Sequence, residues 1–328
     1  MKSAVATVLI TFLLTIGMLA QAPQVPAERG QRAGRGNQPP GPPQNLAWVD
    51  RTGKVLGKIG LPQAAILDPA ISPDGKKVAV RGRDNQAETE HIYLHEGDKK
   101  SRLTTNEGSE RHNFWSPKGD KIVFSTQTAG QGQVSNLFIR SADGSGKDIP
   151  LVVSEGIHKW SPSWSADGKT VVYHTNQLSN NARDIWVVDV ATGKASALVE
   201  TAAVEALPRF SLDGKFVAYQ ADEAADGKFE VWVTTFPRSE SRWKISTAGG
   251  IWPRWDKDQI YYWQGNDLVS VKFKVSGKNF TVSPPEKLFT SAQAGMGSGN
   301  VSGYNYFYDF LGGKFVVVQR PAAPAPEN

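Results

Sequence analysis

Trp164-Ser-Ala-Asp-Gly-Lys-Thr-Val-Val-Tyr-His-Thr175 has close copies elsewhere in the 328-residue chain. They are Ile71-Ser-Pro-Asp-Gly-Lys-Lys-Val-Ala-Val80, Trp115-Ser-Pro-Lys-Gly-Asp-Lys-Ile-Val-Phe124 and Phe210-Ser-Leu-Asp-Gly-Lys-Phe-Val-Ala-Tyr219. Each is an apolar residue, a turn closed by Gly, and a β-branched or aromatic run long enough for one strand, which together make a β-hairpin. The turn glycines Gly75, Gly119, Gly168 and Gly214 are 44, 49 and 46 residues apart, a period that marks a stacked or circular repeat. Two weaker copies follow, Trp255-Asp-Lys-Asp-Gln-Ile-Tyr-Tyr-Trp263 and Tyr308-Asp-Phe-Leu-Gly-Gly-Lys-Phe-Val-Val-Val318.

A second hairpin type alternates with the first. Its clearest copy is Asp184-Ile-Trp-Val-Val-Asp-Val-Ala-Thr-Gly-Lys194, and others begin at Leu46, His91, Leu137, Glu230 and Asp267. Two hairpins per period give four antiparallel strands, the content of one propeller blade. The chain starts on the outer hairpin at Leu46 and finishes on the inner one at Val318. A ring therefore closes only if the last blade is assembled from both ends of the chain. The predicted fold is an all-β, six-bladed propeller of four-stranded antiparallel blades with a two-plus-two closure, which also protects edge strands. A straight β-solenoid is the alternative, but it has no use for complementary incomplete halves at its ends. No stretch has a sustained apolar period of 3.6.

The flanks read differently. Residues 1–20 have one Lys and then an uncharged apolar run from Ala4 to Ala20, the pattern of a secretory signal, with an uncleaved membrane anchor as the alternative. Residues 21–45 are rich in Pro, Gly, Gln and Arg and read as a disordered linker; residues 46–320 hold the repeats, and 321–328 form a disordered tail. There is no cysteine, so neither a disulfide framework nor a lipid-modified Cys is available. The net charge is +5, but residues 1–45 hold Lys2, Arg29, Arg32 and Arg35 against Glu28, leaving only +2 on the body. A nucleic-acid partner would require a basic stripe on the folded part, so none is expected.

The Ser-Pro-Asp-Gly-Lys-Lys-Val-Ala turn, alternating with the Asp-Ile-Trp-Val-Val-Asp-Val-Ala-Thr-Gly-Lys hairpin, resembles the TolB-type propeller repeat. The segment from Tyr308 to Val318 also resembles the last blade of propellers fused to bacterial serine/threonine kinases. The resemblance covers residues 46–320 and implies the propeller fold; function has to be argued from the site. It departs from TolB in showing no α/β domain ahead of the repeats.

Alignment of the copies on Ile71, Trp115, Trp164, Phe210 and Trp255 brings together, just before each turn, a candidate channel mouth. Its residues are Asp68, Arg111, His112, His158, Trp160, Glu205, Arg209, Trp252 and Arg254, with Lys159 beside them. Tyr304, Tyr306 and Tyr308 are added from the last blade. This mixed-charge, aromatic composition suits a peptide, a glycan or a loop of another protein. The repeated Asp74, Asp167 and Asp213 stand singly, unlike the D-x-D-x-D-G of a calcium loop, and are expected to cap turns. The five histidines lack H-E-x-x-H spacing, and no metal or cofactor is expected. A G-x-S-x-G elbow is missing, and the Gly-rich stretch 292–303 lacks the Lys and helix of a phosphate loop. The expected protein is a monomeric, periplasmic or secreted, non-catalytic propeller whose partner is an envelope protein, peptide or glycan. The alternative is a polysaccharide lyase or hydrolase acting in the same channel.

Overall fold

The computed structural model describes residues 42–106, 108–127, 134–239, 241–296 and 308–320. Residues 1–41, read from the sequence as a signal and most of a linker, residues 321–328, read as a tail, and both Tyr304 and Tyr306 lie outside the described residues.

Six antiparallel sheets form the blades of a propeller. Blade 1 runs outward from its inner strand Ala65–Ile71 through Lys77–Arg83 and His91–Glu96 to Lys99–Arg102. Blades 2, 3 and 4 repeat this order from the inner strands Glu110–Trp115, Ile157–Trp164 and Val204–Phe210. Blade 5 starts at Ile251–Trp255 and carries an extra strand. Its third strand, Asp267–Ser276, pairs with Glu286–Thr290 along its first half and with Asn279–Val282 along its second. Blade 6 joins Tyr308–Leu311 and Lys314–Gln319 to Gln44–Val49 and Val55–Gln63, in register from Asn45↔Gln319 to Val49↔Phe315. This is the two-plus-two closure predicted from the hairpin order. The first strand begins at Gln44, two residues before the boundary read from composition.

The turns are held by their own side chains. In blade 3, Ser165 Oγ donates to Asp167 Oδ1 at 2.6 Å, while the Lys169 N–H donates to the same oxygen and the Thr170 N–H to Ser165 Oγ, each at 3.0 Å. Gly168, at φ 73°, takes the left-handed position. Ser72 with Asp74 and Ser211 with Asp213 repeat the pattern. In blade 2 Lys118 holds the acid position, and Asp120, beyond the glycine, accepts from Ser116 Oγ at 2.7 Å instead. These aspartates are turn caps, as the isolated acids implied.

Strand faces turned toward neighbouring blades are apolar and close the seams. Backbone bonds repeat with them. The N–H groups of Glu110, Lys159, Glu205 and Gly250 donate to carbonyls of the preceding blade, Glu90, Ser135, Arg183 and Phe229, at 2.8–3.0 Å. In blade 1 the corresponding N–H, on Ile66, is met at 2.7 Å by the Gln44 side chain, so the closing strand also latches the first seam.

Candidate functional site

Every described inner strand of blades 1–5 is broken at the same place. Asp68, His112, Ser161, Leu207 and Trp252 have φ of 49–58°, and the pairing register shifts across each of them. These are β-bulges, and a non-glycine residue held at positive φ stores roughly 1–3 kcal/mol that the surrounding packing must offset. Proline follows the bulge in four blades, as Pro69, Pro162, Pro208 and Pro253. A bulge tolerates it because its N–H is outside the ladder.

The bulges organise the channel. In blade 1 Asp68 Oδ2 lies 3.1 Å from Arg81 Nε and accepts the His112 N–H of blade 2 at 3.2 Å. His112 Nδ1 is 3.5 Å from the same oxygen and 3.4 Å from Ser161 Oγ of blade 3. The Ser161 carbonyl accepts from Arg209 Nη1 of blade 4 at 3.2 Å. Arg254 of blade 5 faces Asp309 of blade 6 at 3.3 Å, and Asp309 Oδ2 accepts the Ile71 N–H of blade 1 at 2.7 Å. Side chains from all six blades thus tie the channel together below its mouth.

Charge in this ring follows from burial. Desolvation works against ionisation of Asp68, but Arg81 and His112 outweigh it and hold the carboxyl well below the usual range. Burial pushes His112 and His174 down, so both imidazoles are neutral at pH 7. Arg209 is lowered to about 9 by burial and by the neighbouring Arg254, which leaves it charged at neutral pH.

The candidate residues divide according to their distance from the bulge. In blades 1–3 several residues around the bulge are only half-buried, namely Leu67, Arg111, His158 and Trp160 before it, with His112 and Phe114, whereas Ala206 and Ile251, one position before it in blades 4 and 5, are buried in the core. His158 stacks on Trp160 with ring centroids 4.6 Å apart and accepts the Ser135 N–H on Nδ1 at 2.9 Å. His174 meets Trp160 edge-on at 5.9 Å. These residues form a candidate opening toward the start of the inner strands, the end away from the Ser-x-Asp-Gly turns.

Residues two positions before the bulge face the seams. Glu205 is fully buried, accepts from Thr201 Oγ1 and is raised to about 7 by desolvation. Glu110 sits 2.8 Å from His91 Nδ1 and is raised to about 8 by desolvation. Lys159 donates to Asn136 Oδ1 at 2.7 Å and to the Ser154 carbonyl at 2.8 Å. Trp252 is buried in the core, where its carbonyl accepts the Tyr308 hydroxyl at 2.8 Å. Arg254 is buried in the ring. The structure therefore gathers Arg111, His112, His158 and Trp160 at the opening, sets Asp68, Arg209 and Arg254 beneath them, and directs Glu205 and Trp252 elsewhere; Tyr306 lies outside the described residues. Sequence reading missed Arg81, His174, Ser161 and Asp309. The period-aligned prolines were the available signal for the bulges. Among the described residues no three His, Asp or Glu side chains converge as a metal-ligand set.

The family profile described as the TolB beta propeller domain matches residues 53–228, more than half of the chain. The chain belongs to the TolB β-propeller family. Among solved structures it is similar to a putative TolB from Agrobacterium tumefaciens, with a TM-score of 0.62 and 15% identity over 86% of this chain and 99% of that one. TolB from Acinetobacter baumannii gives a TM-score of 0.54 and 16% identity over 76% of this chain and 67% of that one. An oligogalacturonate lyase in complex with manganese gives 0.51 and 13% identity over 67% and 65%. These likenesses are of fold. No curated protein sequence matches this TolB-family chain.

Proposed function

We propose that this TolB-family propeller is a periplasmic or secreted binding protein that holds a segment of an envelope protein, a peptide or a glycan at the opening on blades 1–3. One observation carries the reading: Arg111, His158 and Trp160 are partly exposed and close together, His158 stacked on Trp160, over a ring of contacts between the inner strands. An aromatic face beside a cation on a rigid frame offers stacking area and charge at little ordering cost. Peptides and sugars can use both. The signal-like residues 1–20 and the family's fold support an envelope location.

The test is direct. The protein is offered peptide and glycan arrays and an envelope extract, beside Trp160→Ala and Arg111→Ala variants with unchanged melting temperature. Partners bound by the native protein are expected to lose at least about tenfold in affinity to each variant, the size of effect given by truncating one central contact. Equal binding by the variants, or no binding at all, removes the opening as the site.

A further inference from the structure

Arg209 and Arg254 occupy the same place in consecutive blades. Each lies two residues beyond the bulge and one before the aromatic residue that enters the turn, Phe210 or Trp255. Each follows a proline and turns Nη1 back onto that proline's carbonyl, at 2.8 Å for Arg209 and 3.0 Å for Arg254.

Their other edges differ. Arg254 presents Nε to the Asp309 carboxylate at 3.3 Å and Nη2 to the Tyr308 carbonyl at 3.2 Å, both on blade 6. The corresponding position of blade 5, which would have to supply a carboxylate to Arg209, is held by Arg254 itself. Arg209 uses Nη1 a second time, on the Ser161 carbonyl at 3.2 Å, but its Nε is buried with no hydrogen-bond partner. No Asp or Glu among the described residues is within ion-pair distance of it.

A buried guanidinium that has lost water without an anion in contact is costly, because two carbonyls on Nη1 and the more distant Asp309 and Asp68 replace only part of its hydration. The acids nearby are already engaged: Asp68 by Arg81 and His112, Asp309 by Arg254 and the Ile71 N–H. Arg209 is thus the surplus cation of the ring. The Phe114 ring centroid lies 5.1 Å from its Cζ, a cation–π contact. The Nε–Nη2 edge matches the two oxygens of a carboxylate in a bidentate pair. Arg209 keeps 8% of its surface exposed while its Nε is sealed, so a carboxylate reaches the edge by displacing the partly exposed Phe114 ring beside it.

We propose that the Nε–Nη2 edge of Arg209 is a binding site for one carboxylate group, which serves blade 4 as Asp309 serves blade 5. The carboxylate belongs either to a small free anion or to a larger ligand held at the opening; the second case rests on the function proposed above.

Two arms separate these sources in the intact protein at pH 7.5 and constant ionic strength. In the first, acetate is titrated against acetamide and chloride, with melting temperature and calorimetric heat as readouts. In the second, N-acetyl-dialanine as the free acid is compared with its amide. The expected result is a saturable response to acetate alone, or acid binding at least about tenfold tighter than amide. Either response should vanish in Arg209→Gln and weaken in Arg209→Lys, which keeps the charge without the planar edge. Should Arg209→Gln not fold, the wild-type anion comparison and Arg209→Lys decide. The proposal is overturned if acetate, acetamide and chloride act alike and acid matches amide, or if Arg209→Gln responds as wild type does. An acetate response that persists in Arg111→Ala while array partners fail to bind would sink the opening as a partner site and leave the carboxylate site standing.

Discussion

Arg254 Nε lies 3.3 Å from Asp309 Oδ1 across the seam between blades 5 and 6, and the other oxygen of Asp309 accepts the Ile71 N–H of blade 1 at 2.7 Å. One carboxylate therefore joins three blades at the point where the ring closes. Removing its charge strands a buried guanidinium, which costs on the order of 3–5 kcal/mol. Asp309→Asn is expected to lower stability by that amount, although the amide oxygen can still accept from Ile71. Arg254→Met combined with Asp309→Asn should recover most of the loss, since no charge is then left unpaired. Chemical denaturation of the two single variants and the double variant checks this; additive losses would mean that the pair is not coupled.

Closure rests on apolar packing of the N-terminal strand. Leu46 is fully buried in blade 6 opposite Val318, whereas Leu56 in the same blade is 48% exposed. Leu46→Ala is expected to cost about 2–5 kcal/mol through lost burial and the cavity left behind, and Leu56→Ala less than about 0.5 kcal/mol. Urea midpoints measured side by side give the comparison, and similar midpoints for both variants would contradict it.

The repeated turn makes a conformational prediction. At Gly168 an added Cβ meets only the Pro117 ring, Cδ at 3.8 Å and Cγ at 3.9 Å, ordinary contacts, so the obstacle to a side chain is the φ of +73°. Gly168→Ala should cost roughly 1–2 kcal/mol and Gly168→Asn less, because Asn tolerates the left-handed region. Equal losses in thermal unfolding would place the cost in packing instead.

Buried acids at the seams predict a pH dependence. Desolvation raises Glu110 from 4.5 to about 8 and Glu205 to about 7. Between those limits the folded protein keeps protons that the unfolded chain releases, so this stability is complete below about pH 4.5 and is lost as pH rises toward 8. His91, lowered by burial, acts in the opposite sense: its contribution is present above 6.5 and lost as pH falls. Unfolding free energies from pH 5 to 8 should decline less steeply in Glu110→Gln than in wild type, by up to ~1.4 kcal/mol per pH unit, the limit for one proton. Parallel profiles would show that Glu110 does not titrate in this range.

Much of the architecture was legible in the sequence because its causes are local. The Ser and Asp side chains that cap each turn bond to backbone within five residues, and the glycine that follows tolerates positive φ, so the hairpins could be read from Ile71, Trp115, Trp164 and Phe210 alone. The two-plus-two ring followed from the order of hairpins at the two ends. The placement of the candidate residues was legible only in part. Arg111, His158 and Trp160 do meet at one opening, but Glu205 and Trp252, aligned by the same repeat, do not.

The reason lies in the bulges. A strand alternates its side chains strictly, so one extra residue at Asp68, His112, Ser161, Leu207 or Trp252 reverses which face the residues before it occupy. Period-aligned prolines mark where the extra residue falls, yet not whether a neighbour will reach the channel or the seam. The sequence by itself determined the repeat, the strands, the turns and the number of blades, since these depend on contacts within one hairpin and on chain order. Only the tertiary structure decided that Glu205 is sealed between blades, that Asp309 answers Arg254 and that Arg209 has no acid within ion-pair distance among the described residues, because burial and charge pairing depend on groups brought together from separate blades.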